Sequence, residues 1–100
     1  MKILAIEKEV AGVQEADFEP LLEAEAARAW ELHQSGIIRE LYFRSDRHDA
    51  VLVLECGGPE QARDVLATLP LVKAGLIDFE VFGLLPYMGF ARLFAFAPSR

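Results

Sequence analysis

The sequence contains a single cysteine, Cys56, so no disulfide can form within the chain. Its short apolar start is interrupted at Glu7, too early for the apolar region of a secretory signal. Without a disulfide framework or a signal, we expect a cytoplasmic protein. No segment approaches the roughly 20 apolar residues of a membrane-spanning helix. We therefore expect no membrane among its partners.

Basic residues are also scarce. Ten lysines and arginines stand against 16 aspartates and glutamates, which gives a net charge of -6. Proteins bind phosphate backbones and anionic lipid surfaces through clusters of Lys and Arg. This composition argues against nucleic acid as a partner.

Apolar residues, in contrast, make up 53% of the 100 residues. A chain of this length forms one domain, and such a domain leaves roughly a third of its unfolded surface exposed. The surplus of apolar side chains therefore favours burial between subunits.

The spacing of apolar residues changes along the chain between that of strands and that of helices, and it predicts the element order βαββαβ. The predicted strands are residues 2–9, 37–44, 50–56 and 76–84, the predicted helices are 20–35 and 59–69, and 11–20 and 71–75 are loops. This order is that of the ferredoxin-like α+β fold, a four-stranded antiparallel sheet with two helices on one face. We assign residues 1–86 to this domain and 87–100 to an apolar C-terminal arm.

The third predicted strand is apolar on both faces. Helices can cover only one of these faces, so a second copy of the chain is expected to cover the other, in a homodimer or a higher homo-oligomer. The aromatic segment 87–96 follows a complete fold. It is either an arm laid over a neighbouring subunit, which we favour, or a lid on the pocket of its own subunit.

Three stretches together resemble the muconolactone isomerase family. They are residues 36–42 (GIIRELY), 69–71 (LPL) and 78–84 (DFEVFGL), and their order and spacing fit from about residue 2 to residue 86. The resemblance implies a dimeric α+β barrel, in which two ferredoxin-like sheets face each other, and further assembly into rings of dimers. It also implies a cofactor-free isomerase that shifts a double bond in a small unsaturated lactone. Related barrels include small monooxygenases.

His33 is the first candidate for proton transfer, because imidazole titrates near neutral pH. It lies on the predicted apolar stripe of the first long helix, with Leu22, Ala26 and Ala29, and Trp30 flanks the stripe. A core histidine bonded to a strand is the alternative for His33. We assign Trp30 to substrate binding, with simple packing as its alternative.

Glu40, Tyr42 and Arg44 alternate along the second strand and share one face. If that face meets the helices, the three surround His33, with Glu40 as a base, Tyr42 as a donor and Arg44 as an anchor for a substrate carboxylate. If it is the subunit interface, they are dimer contacts and Arg39 faces the pocket. We prefer the pocket.

Other polar residues are assigned structural roles. His48 and Asp49 fit a solvated turn, and Cys56 has no adjacent base that would activate it. His33 and His48 lack the paired spacing of metal ligands, so we predict no metal site.

Two classes of function remain open. A cofactor-free isomerase acting on a small organic acid or lactone is the first hypothesis. The alternatives are a non-catalytic module that binds small molecules or only oligomerises, and a monooxygenase-like protein suggested by fold analogy.

Overall fold

The computed structural model describes residues 1–94 and has a four-stranded antiparallel sheet in the order β2-β3-β1-β4. The strands are β1 (Lys2–Lys8), β2 (Ile38–Phe43), β3 (Ala50–Glu55) and β4 (Asp78–Leu84). The helices are α1 (Glu15–Phe18), α2 (Leu22–Gln34), α3 (Pro59–Leu66) and α4 (Pro70–Lys73), and 3-10 turns span Glu19–Leu21 and Gly89–Leu93. The predicted ferredoxin-like α+β fold is confirmed.

Two predicted loops contain helices. Residues 11–20 include α1, whose first turn is closed by a hydrogen bond from Gln14 N to Asp17 Oδ2 at 2.9 Å. Residues 71–75 overlap α4, because Pro70 begins this helix instead of ending the one before it. The last position of α3 is Leu66, three residues earlier than predicted.

The core lies between the two longer helices and one face of the sheet. The core consists of buried residues on this face of the sheet together with Leu32 of α2 and Ala62 and Leu66 of α3. This face is here called the helix-side face. The strand register places the most buried strand residues on it, which are Ile3, Ala5, Ile38, Leu52, Leu54 and Phe79.

The opposite face of the sheet, here called the open face, carries none of the helices within residues 1–94. Leu4 and Ile6 of β1 pair there with Val53 and Val51 of β3, and Leu4 also pairs with Phe82 of β4. Phe82 is 43% exposed. The third strand thus has an apolar side chain on both faces, as its sequence predicts.

A shift in strand register changes the face of several residues in β2. Ile38 pairs with Leu54 on the helix side, but Glu40 pairs with Val53, and the register shifts between Ile38 and Glu40. An extra residue of this kind reverses the alternation of the side chains that follow it. Leu41 therefore lies on the helix side and Glu40 on the open face.

The chain extends beyond the sheet after β4. Its radius of gyration is 16.6 Å, whereas a compact domain of this length has about 13 Å. Residues 95–100 of the predicted arm lie outside the described residues, and the division of the chain after residue 86 stays a prediction. Within residues 1–94, no helix is both long enough and apolar enough to cross a membrane.

The core position Leu54 provides a test of this packing. Leu54 has 0% exposure, so Leu54→Ala leaves a cavity and is expected to lower the free energy of unfolding by about 2–5 kcal/mol. Leu22→Ala, at a side chain 46% exposed, is the matched control and should cost much less. Urea denaturation followed by circular dichroism measures both, and equal losses would contradict the assigned core.

Candidate functional site

A pocket of about 1170 Å³ lies between α2 and the helix-side face of the sheet. Its walls are mainly apolar. They include side chains from α2, from the three strands β2, β3 and β4, and from the loop that follows β1; examples are Leu22, Ala26, Ala29, Leu41, Phe43, Leu52, Phe79, Val10 and Val13. A pocket with apolar walls and few polar groups is typical of small-molecule sites.

Glu7 brings a carboxylate into this pocket from β1. It continues the helix-side row of Ile3 and Ala5, and its Oε1 accepts a hydrogen bond from Ala50 N at 2.9 Å. Burial raises the pKa of the Glu7 carboxyl above its usual value, and the charge of Asp49 adds to this. The bond from Ala50 and the charges of His48 and Arg47 act in the opposite direction.

Glu25 brings a second carboxylate from α2. It is half-buried, and its Oε1 accepts a hydrogen bond from Leu71 N at 2.9 Å, which fixes it against the first turn of α4. Burial raises the pKa of Glu25, and the negative charge of Glu7 raises it further. Only the bond from Leu71 lowers it, since no cationic neighbour contributes.

The two carboxyls therefore have different surroundings in one pocket. Burial is the largest cause of the raised pKa at both groups; the charges of His48 and Arg47 act against it only at Glu7, and the charge of Glu7 raises the pKa of Glu25. Within residues 1–94, each uses Oε1 to accept its backbone bond, and no protein donor is bonded to its Oε2. Carboxyls with raised pKa values in an apolar pocket are suited to proton transfer.

The hairpin between β2 and β3 forms one end of the pocket. The His48 ring stacks on Phe43 with 4.0 Å between ring centroids, and both residues line the pocket. Asp49 is 7% exposed, and its Oδ2 forms an ion pair with Arg47 Nε at 2.5 Å. His48 is exposed in the turn, as its assignment predicts, and it also borders the pocket. Asp49 is buried, which corrects its assignment to a solvated turn.

Neither His33 nor Trp30 lines the pocket. His33 is exposed, and its Nδ1 lies 3.0 Å from the carbonyl oxygen of Ile38, the strand contact that was the alternative in the sequence. Trp30 is 59% exposed, and its ring centroid lies 6.0 Å from that of His33. The buried face of α2 includes Leu32, one position before His33. At this end of the helix, the buried face is therefore rotated away from the stripe that was predicted to pass through His33.

Glu40 and Tyr42 lie together, but on the open face, which corrects the preferred placement against the helices. The register shift in β2 is the reason. The Tyr42 hydroxyl donates a hydrogen bond to Glu40 Oε1 at 2.7 Å, and Tyr42 also borders the pocket along the edge strand. Glu40 does not line it.

Arg44 is held by the hairpin turn. Its Nε and Nη2 donate to Oδ1 and Oδ2 of Asp46 at 2.9 and 2.6 Å, so both ends of its guanidinium fork are occupied there. Arg44 does not line the pocket. The roles predicted for His33, Glu40, Tyr42, Arg44 and Trp30 stay predictions, and of these residues only Tyr42 borders the pocket.

Sequence reasoning missed Glu7 and Glu25. The signal for Glu7 is its place in the alternation Ile3, Ala5, Glu7, which puts a carboxylate on a buried face. Glu25 precedes Arg28, Ala29 and Leu32 by three, four and seven residues, so it lies on the same face of α2 as these partly or fully buried side chains. This spacing is the signal for Glu25. Both positions read as ordinary surface acids when charge alone is considered.

Across residues 1–94, no three His, Cys, Asp or Glu side chains are grouped so that they could hold a metal ion. Burial raises the pKa of the Cys56 thiol, which keeps it in the less reactive protonated form.

Comparisons with other proteins give a consistent answer for the fold. Neither a family model nor a curated protein matches the chain. The crystal structure of muconolactone isomerase aligns with a TM-score of 0.70 and 25% identity, over 87% of this chain and 91% of that one. A 5-chloro-2-hydroxyhydroquinone dehydrochlorinase from Burkholderia phenoliruptrix, in complex with 2,5-dihydroxybenzoquinone, aligns with a TM-score of 0.61 and 18% identity, over 85% and 94%.

The second structure is similar in fold alone, whereas the first also shares a quarter of the aligned residues. Both alignments span almost the whole of each neighbour, so the likeness concerns the complete domain. The chain therefore has the muconolactone isomerase-like α+β fold, the resemblance that its sequence indicates.

Proposed function

We propose that this protein is a cofactor-free isomerase that moves a proton between two carbons of a small unsaturated lactone bound in the pocket. The observation that carries the proposal is the pair of half-buried carboxyls, Glu7 and Glu25, whose pKa values are both raised in one apolar pocket. The likeness in fold to muconolactone isomerase supports the reaction class.

In the proposed reaction, the Glu7 carboxylate removes a proton from a carbon next to the double bond of the lactone. The electron pair of that C–H bond is delocalised onto the carbonyl oxygen, which forms a dienolate. The protonated Glu25 donates a hydrogen bond to this oxygen. The carboxyl of Glu7 exchanges its proton with solvent and then delivers a proton to a different carbon, the carbonyl is restored and the double bond has moved. No electrons are gained or lost.

The charge of the pocket favours an uncharged lactone over a free acid. Glutamates Glu7, Glu9, Glu15, Glu19 and Glu25 line it, together with Asp49. Within residues 1–94 no Lys or Arg is part of the lining. A substrate carboxylate would therefore meet like charge without a lysine or arginine of the described lining to offset it.

We also propose that two copies pair through their open faces, as the resemblance implies. The support is the apolar row of Leu4, Ile6, Val51 and Val53, which no helix of the described chain covers, with the exposed Phe82 beside it. Burying a side chain of this type is worth about 1.5–3 kcal/mol, so a second sheet is a favourable cover.

The isomerase proposal is tested with a five-membered β,γ-unsaturated lactone that carries no carboxylate, and with muconolactone. In D2O, proton NMR should show the double bond moving and deuterium entering the carbon that receives the proton, faster than in buffer alone. Binding of either lactone without exchange would contradict the isomerase and would favour a non-catalytic binding module.

Glu7→Gln is expected to lower kcat by about 10²–10⁴-fold, because an amide cannot accept the proton. The amide oxygen can still accept the bond from Ala50, so the fold should be retained. Glu60→Gln, at an exposed residue of α3 outside the pocket lining, is the matched control and should leave kcat unchanged. Loss of activity in His33→Gln with full activity in Glu7→Gln would instead favour the residues predicted from the sequence.

The coupling between the carboxyls gives an independent prediction. Because the charge of Glu7 helps to raise the pKa of Glu25, Glu7→Gln should lower the pKa of Glu25 toward its usual value, while burial keeps it above that value. Titration of the Glu25 side-chain carboxyl by carbon-13 NMR measures this directly, without any substrate. An unchanged or higher pKa of Glu25 in Glu7→Gln, compared with Glu60→Gln, would show that the two groups are not coupled.

A further inference from the structure

The carboxyl of Glu7 has limited access to solvent. Its side chain is only partly exposed, and its Oε1 is occupied by the hydrogen bond from Ala50 N at 2.9 Å. In the proposed reaction this carboxyl exchanges its proton with solvent while a substrate fills the pocket. A second group that binds and releases protons near neutral pH, placed between Glu7 and solvent, would speed that exchange.

His48 is a group of this kind at the exposed end of the pocket. It is the only histidine of the described lining, and imidazole gains and loses a proton near neutral pH. Its ring stacks on Phe43 with 21° between the ring planes, which covers a face of the imidazole and not the edge that carries both nitrogens. Within residues 1–94, no protein group is hydrogen-bonded to a ring nitrogen of His48, in contrast to Nδ1 of His33.

The hairpin brings His48 and Glu7 together. Ala50, whose N–H donates to the Glu7 carboxyl, follows His48 by two residues, and two residues of extended chain span at most about 7 Å. The two groups are also coupled by charge. Burial is the main cause of the raised pKa of Glu7, and the positive charge of His48 is one of the influences that lower it. A proton can pass between such neighbours through a water molecule.

The other charged groups at this end of the pocket are paired with one another. Arg47 forms ion pairs with Asp49 at 2.5 Å and with Glu9 at 3.4 Å. Within residues 1–94, no ion pair includes Glu7. Of these three carboxylates, Glu7 is therefore the one that is free to exchange a proton with the imidazole.

We propose that His48 relays protons between Glu7 and solvent. Through a water molecule, the imidazole accepts the proton that Glu7 has removed from the substrate, which leaves a carboxylate and an imidazolium. The imidazolium releases a proton to solvent, and a solvent proton returns to Glu7 by the reverse path before it is delivered to the second carbon. No electrons are gained or lost. His48 acts only through Glu7, and the relay rests on the proposed isomerase.

A deuterated substrate tests the relay. The uncharged β,γ-unsaturated lactone carries deuterium at the carbon from which Glu7 removes the proton, and the reaction runs in ordinary water. In the wild type, exchange should replace most of this label before delivery. In His48→Gln, deuterium at the receiving carbon, measured by mass spectrometry, should rise by about threefold or more, while kcat changes by less than about threefold. Arg63→Gln, at an exposed residue of α3 outside the pocket lining, is the matched control and should behave as the wild type.

His48→Phe separates proton transfer from ring stacking. A phenyl ring can still stack on Phe43 but has no nitrogen, so this variant should retain as much deuterium as His48→Gln. Imidazole added to the solution should lower the retained deuterium in both variants, because it supplies the missing proton carrier. Retention as low as in the wild type, or retention that added imidazole leaves unchanged, would overturn the relay.

Titration of Glu7 without substrate distinguishes failure of the relay from failure of the isomerase. Because His48→Gln removes a positive charge, it should raise the pKa of the Glu7 carboxyl above that in Arg63→Gln, as measured by carbon-13 NMR. If the wild type leaves the lactone unchanged, the isomerase proposal fails and this titration decides the relay. A higher pKa of Glu7 in His48→Gln would then support a proton path between the two groups, and equal values would overturn it.

Discussion

The pairing of β1 with β3 and β4 is the constraint on which the site depends. This register places Ile3, Ala5 and Glu7 in one row on the helix side, so a carboxylate lies where a buried apolar row ends. The bond from Ala50 N to Glu7 then secures the position. A shift of one residue would move Glu7 to the open face and put Ile6 in its place.

The pocket also depends on a contact between two helices that are distant in sequence. Glu25 of α2 accepts a hydrogen bond from Leu71 at the start of α4, which fixes the second carboxyl beside the sheet. Because Glu25 is half-buried and has a negative neighbour, its proton is held more tightly than that of an exposed glutamate. The burial that results from this packing is therefore also the main cause of the raised pKa of Glu25.

Two surfaces of the described chain, the open face and residues 85–94, carry exposed apolar side chains, and they lie on different parts of the chain. In our proposal the open face pairs with its counterpart in a second copy. A protein with 53% apolar residues in 100 positions can satisfy these surfaces more fully as an oligomer than alone.

Local sequence determined the element order, because strand alternation, helix period and the Gly and Pro breaks act over a few residues; the fold class followed from these. Local sequence could not determine which face of the sheet each β2 side chain occupies, since the register shift after Ile38 depends on pairing with β3. Nor could it show that Glu7 and Glu25, 18 positions apart, face one pocket. The tertiary structure decided both, because burial and charge coupling exist only once β1, α2 and α4 are packed together.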